Sequence, residues 1–192
     1  AAAVIGDMQV RNRGTIGGSV AHADPNADFP VMLTALNASF AARSSSGSRS
    51  IAADDFFTDF YTTAMTANEI LTEIRIPLPP SGSGTAYVKL PHPASGYAVV
   101  SAGVLVTRQS SGSCASARVA IGGLGSGPIR AVAVEAELQG KPLTPQVIAA
   151  AAAKAAENTN PLDDTYADAE YKRHMAALFA RRAIEEAARR AA

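Results

Sequence analysis

One cysteine, three histidines and no tryptophan occur in 192 residues, and these scarcities close off several chemistries. A lone Cys114 cannot form a disulfide within the chain. Nor can it by itself ligate an iron–sulfur cluster, which takes several thiolates. No His or Cys stands near it in sequence to activate the thiol, so it reads as an incidental residue at a hairpin tip. His22, His92 and His174 lack the short spacings of a metal site, and no metal site is expected. No nucleophile–base pair stands out, so no catalytic side chain is assigned. A dominant charge is missing as well: 17 basic and 17 acidic side chains balance, leaving no global field to draw nucleic acid or membrane. No apolar run approaches the roughly 18 residues of a membrane helix, and no charged segment with an apolar core opens the chain. A cytoplasmic protein with no membrane segment is expected. With 47% hydrophobic and 18% charged residues, the composition suits a packed globule rather than disorder.

What the chain does have is concentrated between Arg11 and Asp28. Arg11 and Arg13 precede Gly14-Thr15-Ile16-Gly17-Gly18-Ser19, and Ala23-Asp24-Pro25 follows, opening a helical pattern. The glycines permit φ > 0 and remove the Cβ atoms that would hold a ligand away from backbone N–H groups. A row of such groups suits phosphate oxygens. Asp24 can cap the next helix and Pro25 fits its first turn, so the helix dipole would face the same anion. No Gly-Lys-Ser/Thr follows, and the spacing fails the dinucleotide fingerprint. On these residues alone, an ordinary tight turn and a phosphate cradle both stand.

The rest of the chain reads as two small α+β units. Asp24–Asn37 is expected to be helical, with Phe29, Met32, Leu33 and Leu36 on one face. Ser39–Ala42 and Ile51–Ala53 read as strands around a Ser-rich tip, and Ile70–Pro77 as a strand with Ile70, Thr72, Ile74 and Ile76 on one side. Pro79–Gly84 is the clearest linker. Beyond it, Thr85–Leu90, Tyr97–Thr107 and Ala115–Ile121 read as three strands, the last two joined by the turn Ser110–Ser113. Gly122–Pro128 reads as a strand-exit loop. Thr144 with Pro145 starts an alanine-rich helix to Glu157. Asp168 caps a final helix carrying Tyr171, Met175, Leu178 and Phe179 on one stripe, with Ile184 off it.

The run Arg13–Ser19 followed by Ala23-Asp24-Pro25 and Asp28 closely resembles the FAD-binding medium subunit of molybdenum hydroxylases, the group of carbon monoxide dehydrogenase and xanthine dehydrogenase. Further blocks keep the family's order over nearly the whole chain: Ala53-Asp54-Asp55-Phe56-Phe57, Glu69-Ile70-Leu71, Tyr87-Val88-Lys89-Leu90, Ala94-Ser95-Gly96-Tyr97, Gly122-Gly123-Leu124-Gly125 and Glu170–His174. The resemblance implies an α+β fold in which residues 1–80 are the second half of an FAD-binding domain. Residues 81–192 would be a C-terminal domain with a three-stranded antiparallel sheet and helices. It also implies FAD contacts at Thr15, Ile16, Gly17, Gly18, Ser19, Asp24 and Asp28. Read without it, Asp24 is a cap and Asp28 a dipole-pairing surface charge. Leu71 and Lys89 match flavin contacts, where the plain readings are a core leucine and an edge-strand lysine in water. Tyr97 either covers the isoalloxazine ring or serves the core.

The same resemblance implies a redox function. A molybdopterin-bearing large subunit would oxidise substrate and pass electrons through the 2Fe–2S clusters of a small subunit to FAD, which delivers them to NAD or another acceptor. Related chains carry a further N-terminal FAD subdomain with a second glycine-rich loop, so half of the cofactor site is expected to lie outside these residues. Weak FAD binding by the 192 residues alone follows. The contrasting expectation is a docking module that binds no FAD itself.

Overall fold

The computed structural model describes residues 1–191. The first unit opens with a 3-10 turn (Ala2–Val4) and three short helices: α1 (Met8–Arg13), α2 (Ile16–His22) and α3 (Asp28–Ala35). Strands β1 (Ser39–Ser44) and β2 (Gly47–Ala52) form a hairpin. Helix α4 (Ala53–Phe56), the small ribbon β3 (Phe57–Asp59) and β4 (Thr62–Thr63), and strand β5 (Ile70–Arg75) complete the unit. The sheet order is β2-β1-β5, antiparallel throughout. Its core is aromatic: the Phe40 and Phe56 rings lie 4.4 Å apart, and Phe57 meets both edge-on.

Three expectations change here. The glycine stretch is not a loop, because Gly17 and Gly18 lie in the first turn of α2 and neither has positive φ. Thr15 caps that helix, its hydroxyl accepting from the Gly18 N–H at 2.9 Å, which offsets the weak helix propensity of two glycines. Ala23, in the left-handed region at φ 53°, ends α2. The next helix starts at Asp28 rather than Asp24. Asp24 instead turns back on Asn26, accepting its N–H at 2.9 Å. In β5 a bulge at Thr72 breaks the alternation. Leu71 and Ile74 therefore face the core with Phe40 while Ile70 is 71% exposed, since an extra residue reverses the face of all that follows.

The second unit is a sheet of β6 (Ser83–Pro91), β7 (Ala98–Arg108), β8 (Cys114–Gly122) and β9 (Ile129–Arg130), in that order. The three expected strands are present; the two-residue β9 is an addition that no periodicity could announce. Helices α5 (Val132–Leu138), α6 (Pro145–Ala152) and α7 (Ala169–Arg190) pack on one face, and α3 of the first unit packs on the other. Strand β7 is buried along almost its whole length for that reason, and reads as a continuous apolar run. Cys114 lies not at the tip but at the start of β8, fully buried. Thr144 and Asp168 cap α6 and α7 as expected. Helix α6 stops at Ala152, short of the expected Glu157.

The buried face of α7 is rotated from the expected stripe but keeps part of it: Phe179 is buried and Met175 and Leu178 pack against the core, whereas Tyr171 is exposed and Ala176, Ala180, Ala183, Ile184 and Ala187 are buried. Alanines let the helix axis approach the sheet, and Gly84 completes the fit: a Cβ there would lie 2.0 Å from the Ala187 carbonyl oxygen. Across the units, Asp54 of α4 accepts from Arg118 at 2.7 Å and Arg130 at 2.8 Å. Arg118 also donates to the Thr34 carbonyl at 2.9 Å. These bonds and the α3 packing join the two sheets around one side of the molecule.

Candidate functional site

A cavity of about 610 Å³ opens where the N-terminal segment, α1, α2 and the start of α3 meet the loop before β7. That volume is within the range of small-molecule sites. Thr15, Ile16, Gly18 and Ser19 bring the N-terminal end of α2 to its wall, and Asp24, Asp28 and Tyr97 line it as well. Seven expected contacts are thus gathered from three separate stretches of chain. The helix N-terminus offers donors. Gly18 N–H goes to Thr15 and Ser19 N–H to the Thr15 carbonyl, leaving the N–H groups of Ile16 and Gly17 without an acceptor among the described residues. Unfilled donors at a helix start attract anions, and the dipole adds to them.

Arg11 and Arg13 also line the cavity. Arg11 has a structural task there: its guanidinium donates to the Ile5 carbonyl at 2.7 Å, folding the N-terminal segment over the opening. Arg13, in the last turn of α1, makes no ion pair among the described residues. Bare backbone, unfilled N–H groups and two guanidiniums make a donor set that fits a diphosphate.

Three expected contacts lie elsewhere. Gly17 is on the same helical turn but does not line the cavity; a Cβ placed on it would meet nothing within 4 Å. Leu71 packs into the first unit's core. Lys89 does not point into water, as an edge-strand lysine would. Its side chain is 5% exposed, and its ammonium lies 2.9 Å from Oδ1 of Asp28, itself 4% exposed. The ammonium also donates to the Gly96 carbonyl at 2.7 Å.

Asp28 is therefore no surface charge. Tyr87 Oη donates to its Oδ1 at 2.7 Å, from the same strand as Lys89 and two residues before it. A carboxylate has about four lone-pair directions, so room remains for a hydroxyl on the cavity side. Burial, and then the adjacent carboxylate, push the Tyr87 phenol far above its ordinary range, and it stays a donor. Tyr87 was not expected from the sequence. Its signal is the Tyr-x-Lys spacing, which puts both side chains on one face of a strand.

Tyr97 is 52% exposed and stands between this cavity and a second of about 460 Å³. His22, Asp24 and Ser95 border both. Two histidine–tyrosine pairs rim the second: His22 with Tyr61 at 5.2 Å between ring centres, and His92 with Tyr166 at 4.7 Å. Among the described residues no three His, Cys, Asp or Glu side chains cluster as metal ligands.

Comparison with known proteins gives this geometry a context. Residues 1–79 match the family described as the FAD binding domain in molybdopterin dehydrogenase, and residues 85–187 match the CO dehydrogenase flavoprotein C-terminal domain. The chain belongs to the CO dehydrogenase flavoprotein family. It is 39% identical over 184 residues to the glyceraldehyde dehydrogenase medium chain of Sulfolobus acidocaldarius, covering 96% of this chain and 65% of that one. To the carbon monoxide dehydrogenase medium chain of Afipia carboxidovorans it is 38% identical, covering 98% and 65%. Its structure is similar to carbon monoxide dehydrogenase from Hydrogenophaga pseudoflava, with a TM-score of 0.93 at 39% identity over 98% of this chain and 66% of that one. Quinoline 2-oxidoreductase from Pseudomonas putida is also similar, with a TM-score of 0.90 at 33% identity over 98% and 65%. The chain thus spans about 65% of the length of the curated relatives named here. Family members keep the α+β architecture; in this one the α2 N-terminus, Asp28 and Tyr97 surround a single opening.

Proposed function

We propose that this chain is the greater part of the FAD-binding medium subunit of a cytoplasmic molybdenum hydroxylase. In that assembly, electrons pass from a molybdopterin-bearing large subunit through the 2Fe–2S clusters of a small subunit to FAD, and on to an acceptor such as NAD. The observation that carries the reading is the α2 N-terminus, with its unfilled donors and flanking arginines, opening onto a cavity inside a region matching an FAD-binding family. When bound, FAD supplies the chemistry, accepting electrons from the clusters and releasing them in pairs.

The chain's own residues bind and orient. The Ile16 N–H with Arg13 would hold the diphosphate, where charge-assisted bonds are short and strong. Asp28 would accept from a ribityl or ribose hydroxyl while its other lone pairs stay engaged by Tyr87 and Lys89. Tyr97 would cover a ring face and limit water. Lys89 spends its charge on Asp28 at 2.9 Å and would serve by holding that carboxylate in place.

Purification of the full-length subunit tests this. One FAD per subunit, bleached on adding reduced small subunit without oxygen and restored by NAD, is the expected result. A full-length subunit that holds no FAD would overturn the reading and leave the docking role. Bleaching that NAD cannot reverse would keep the electron-transfer role and exclude NAD as acceptor.

A further inference from the structure

We propose that Tyr87 and Lys89 are positioning residues that clamp two walls of the cofactor cavity together, so that the orientation of its contents is set from the second unit's sheet. Neither residue lines that cavity. Both project from one face of β6, and both engage Asp28 at the first turn of α3: Tyr87 at 2.7 Å, Lys89 at 2.9 Å. Lys89 has a second partner. Its ammonium donates to the Gly96 carbonyl at 2.7 Å, in the loop that carries Ser95 and Tyr97 to the cavity.

Gly96 itself could not be another residue without displacement. Its φ is +71°, and a Cβ there would come within 3.2 Å of the Gly6 backbone, which bounds the cavity from a third side. The loop is also tied at its base, with His92 N–H donating to the Tyr97 carbonyl and Gly96 N–H to the His92 carbonyl. One buried ammonium therefore couples the Asp28 wall to the Tyr97 loop, and the loop to the N-terminal segment. Buried, hydrogen-bonded charges have few alternative arrangements, since each unmade bond is costly there. Lysine suits the task because its three N–H donors serve separate acceptors.

This inference rests on FAD occupying the cavity, and the experiment separates the two claims. In the full-length subunit, Tyr87→Phe keeps the ring and removes one bond to a charged group. It should weaken FAD binding roughly tenfold and change the visible circular dichroism of the bound flavin. Lys89→Met should do the same and, in FAD-free protein, speed amide exchange at His92 and Gly96 by at least about tenfold. Val119→Ala, a buried change in the second unit's core, should lower Tm while leaving flavin dichroism and loop exchange unaltered. A folded Lys89→Met with unchanged dichroism and unchanged exchange overturns the clamp. If Lys89→Met does not fold, Lys89→Arg is read by the same two signals, because the larger planar guanidinium must displace Asp28 or the Gly96 carbonyl to fit the buried site. Wild-type subunit without FAD would refute the cofactor reading alone; the exchange comparison would still decide whether Lys89 holds the loop.

Discussion

Replacing Lys89 by methionine is the sharpest test of how this fold is held together. The side chain keeps its length and apolar stem but loses its charge. Asp28, 4% exposed, is then left with the Tyr87 hydroxyl and no cation. Breaking a buried pair by removing one partner typically costs about 3–5 kcal/mol, because the remaining ion keeps its desolvation penalty. A domain of this size loses roughly 2–4 °C of Tm per kcal/mol, so Lys89→Met should melt about 6–20 °C lower at neutral pH. The double variant Asp28→Asn with Lys89→Met removes both charges and should recover most of the loss. Urea titrations of both variants and the parent at neutral pH read these differences directly. A deficit below about 1 kcal/mol, the range of solvated surface pairs, would refute the argument.

Gly17→Ala should strengthen α2 by roughly 0.5–1 kcal/mol, since the added methyl meets no protein atom and alanine favours helix. Because Gly17 does not line the cavity, FAD binding by the full-length subunit should change little, as thermal melts and FAD titration would show. Gly18→Val differs, because its Cβ would sit 2.9 Å from the Thr15 hydroxyl oxygen; it should disturb the cap and cost about 1 kcal/mol of stability. Ile184→Ala should destabilise by about 2–5 kcal/mol, as for a buried aliphatic, whereas Tyr171→Ala should stay within about 1 kcal/mol; equal effects in urea unfolding would contradict the observed face of α7. Arg49, with help from the Thr66 N–H, holds the Glu69 carboxyl down at about 2. That depressed value contributes stability above the usual glutamate range, lost as pH falls toward 2. NMR titration of Arg49→Ala should find Glu69 raised toward the ordinary glutamate range, with the Thr66 N–H still holding it below.

Much of the fold was legible where structure is decided within a few residues. Thr144 and Asp168 each accept an N–H three residues on, a local bond that a short peptide could form. The β1–β2 hairpin around its Ser-rich tip and the long apolar β7 were equally plain. Helix α2 was hidden because glycine's poor helix propensity outweighs its threonine cap on paper, while in the fold Val20 is buried among Leu33 and Phe40 and holds the helix down. The Thr72 bulge and the rotated face of α7 depend on what lies opposite, and no window along the chain contains that.

The candidate site divides the same way. The sequence by itself determined part of the list: a glycine-rich stretch behind two arginines, Asp28 one turn into an expected helix, and Lys89 on a strand. Only the tertiary structure decided that Asp28 and Lys89, 61 residues apart, form one buried pair, and that the same ammonium reaches Gly96. A lysine's fate is set by whether a partner and a cover exist for it. Water would have won had α3 not packed across β6–β8, because an ammonium leaves solvent only when charge and hydrogen bonds replace what solvent gave.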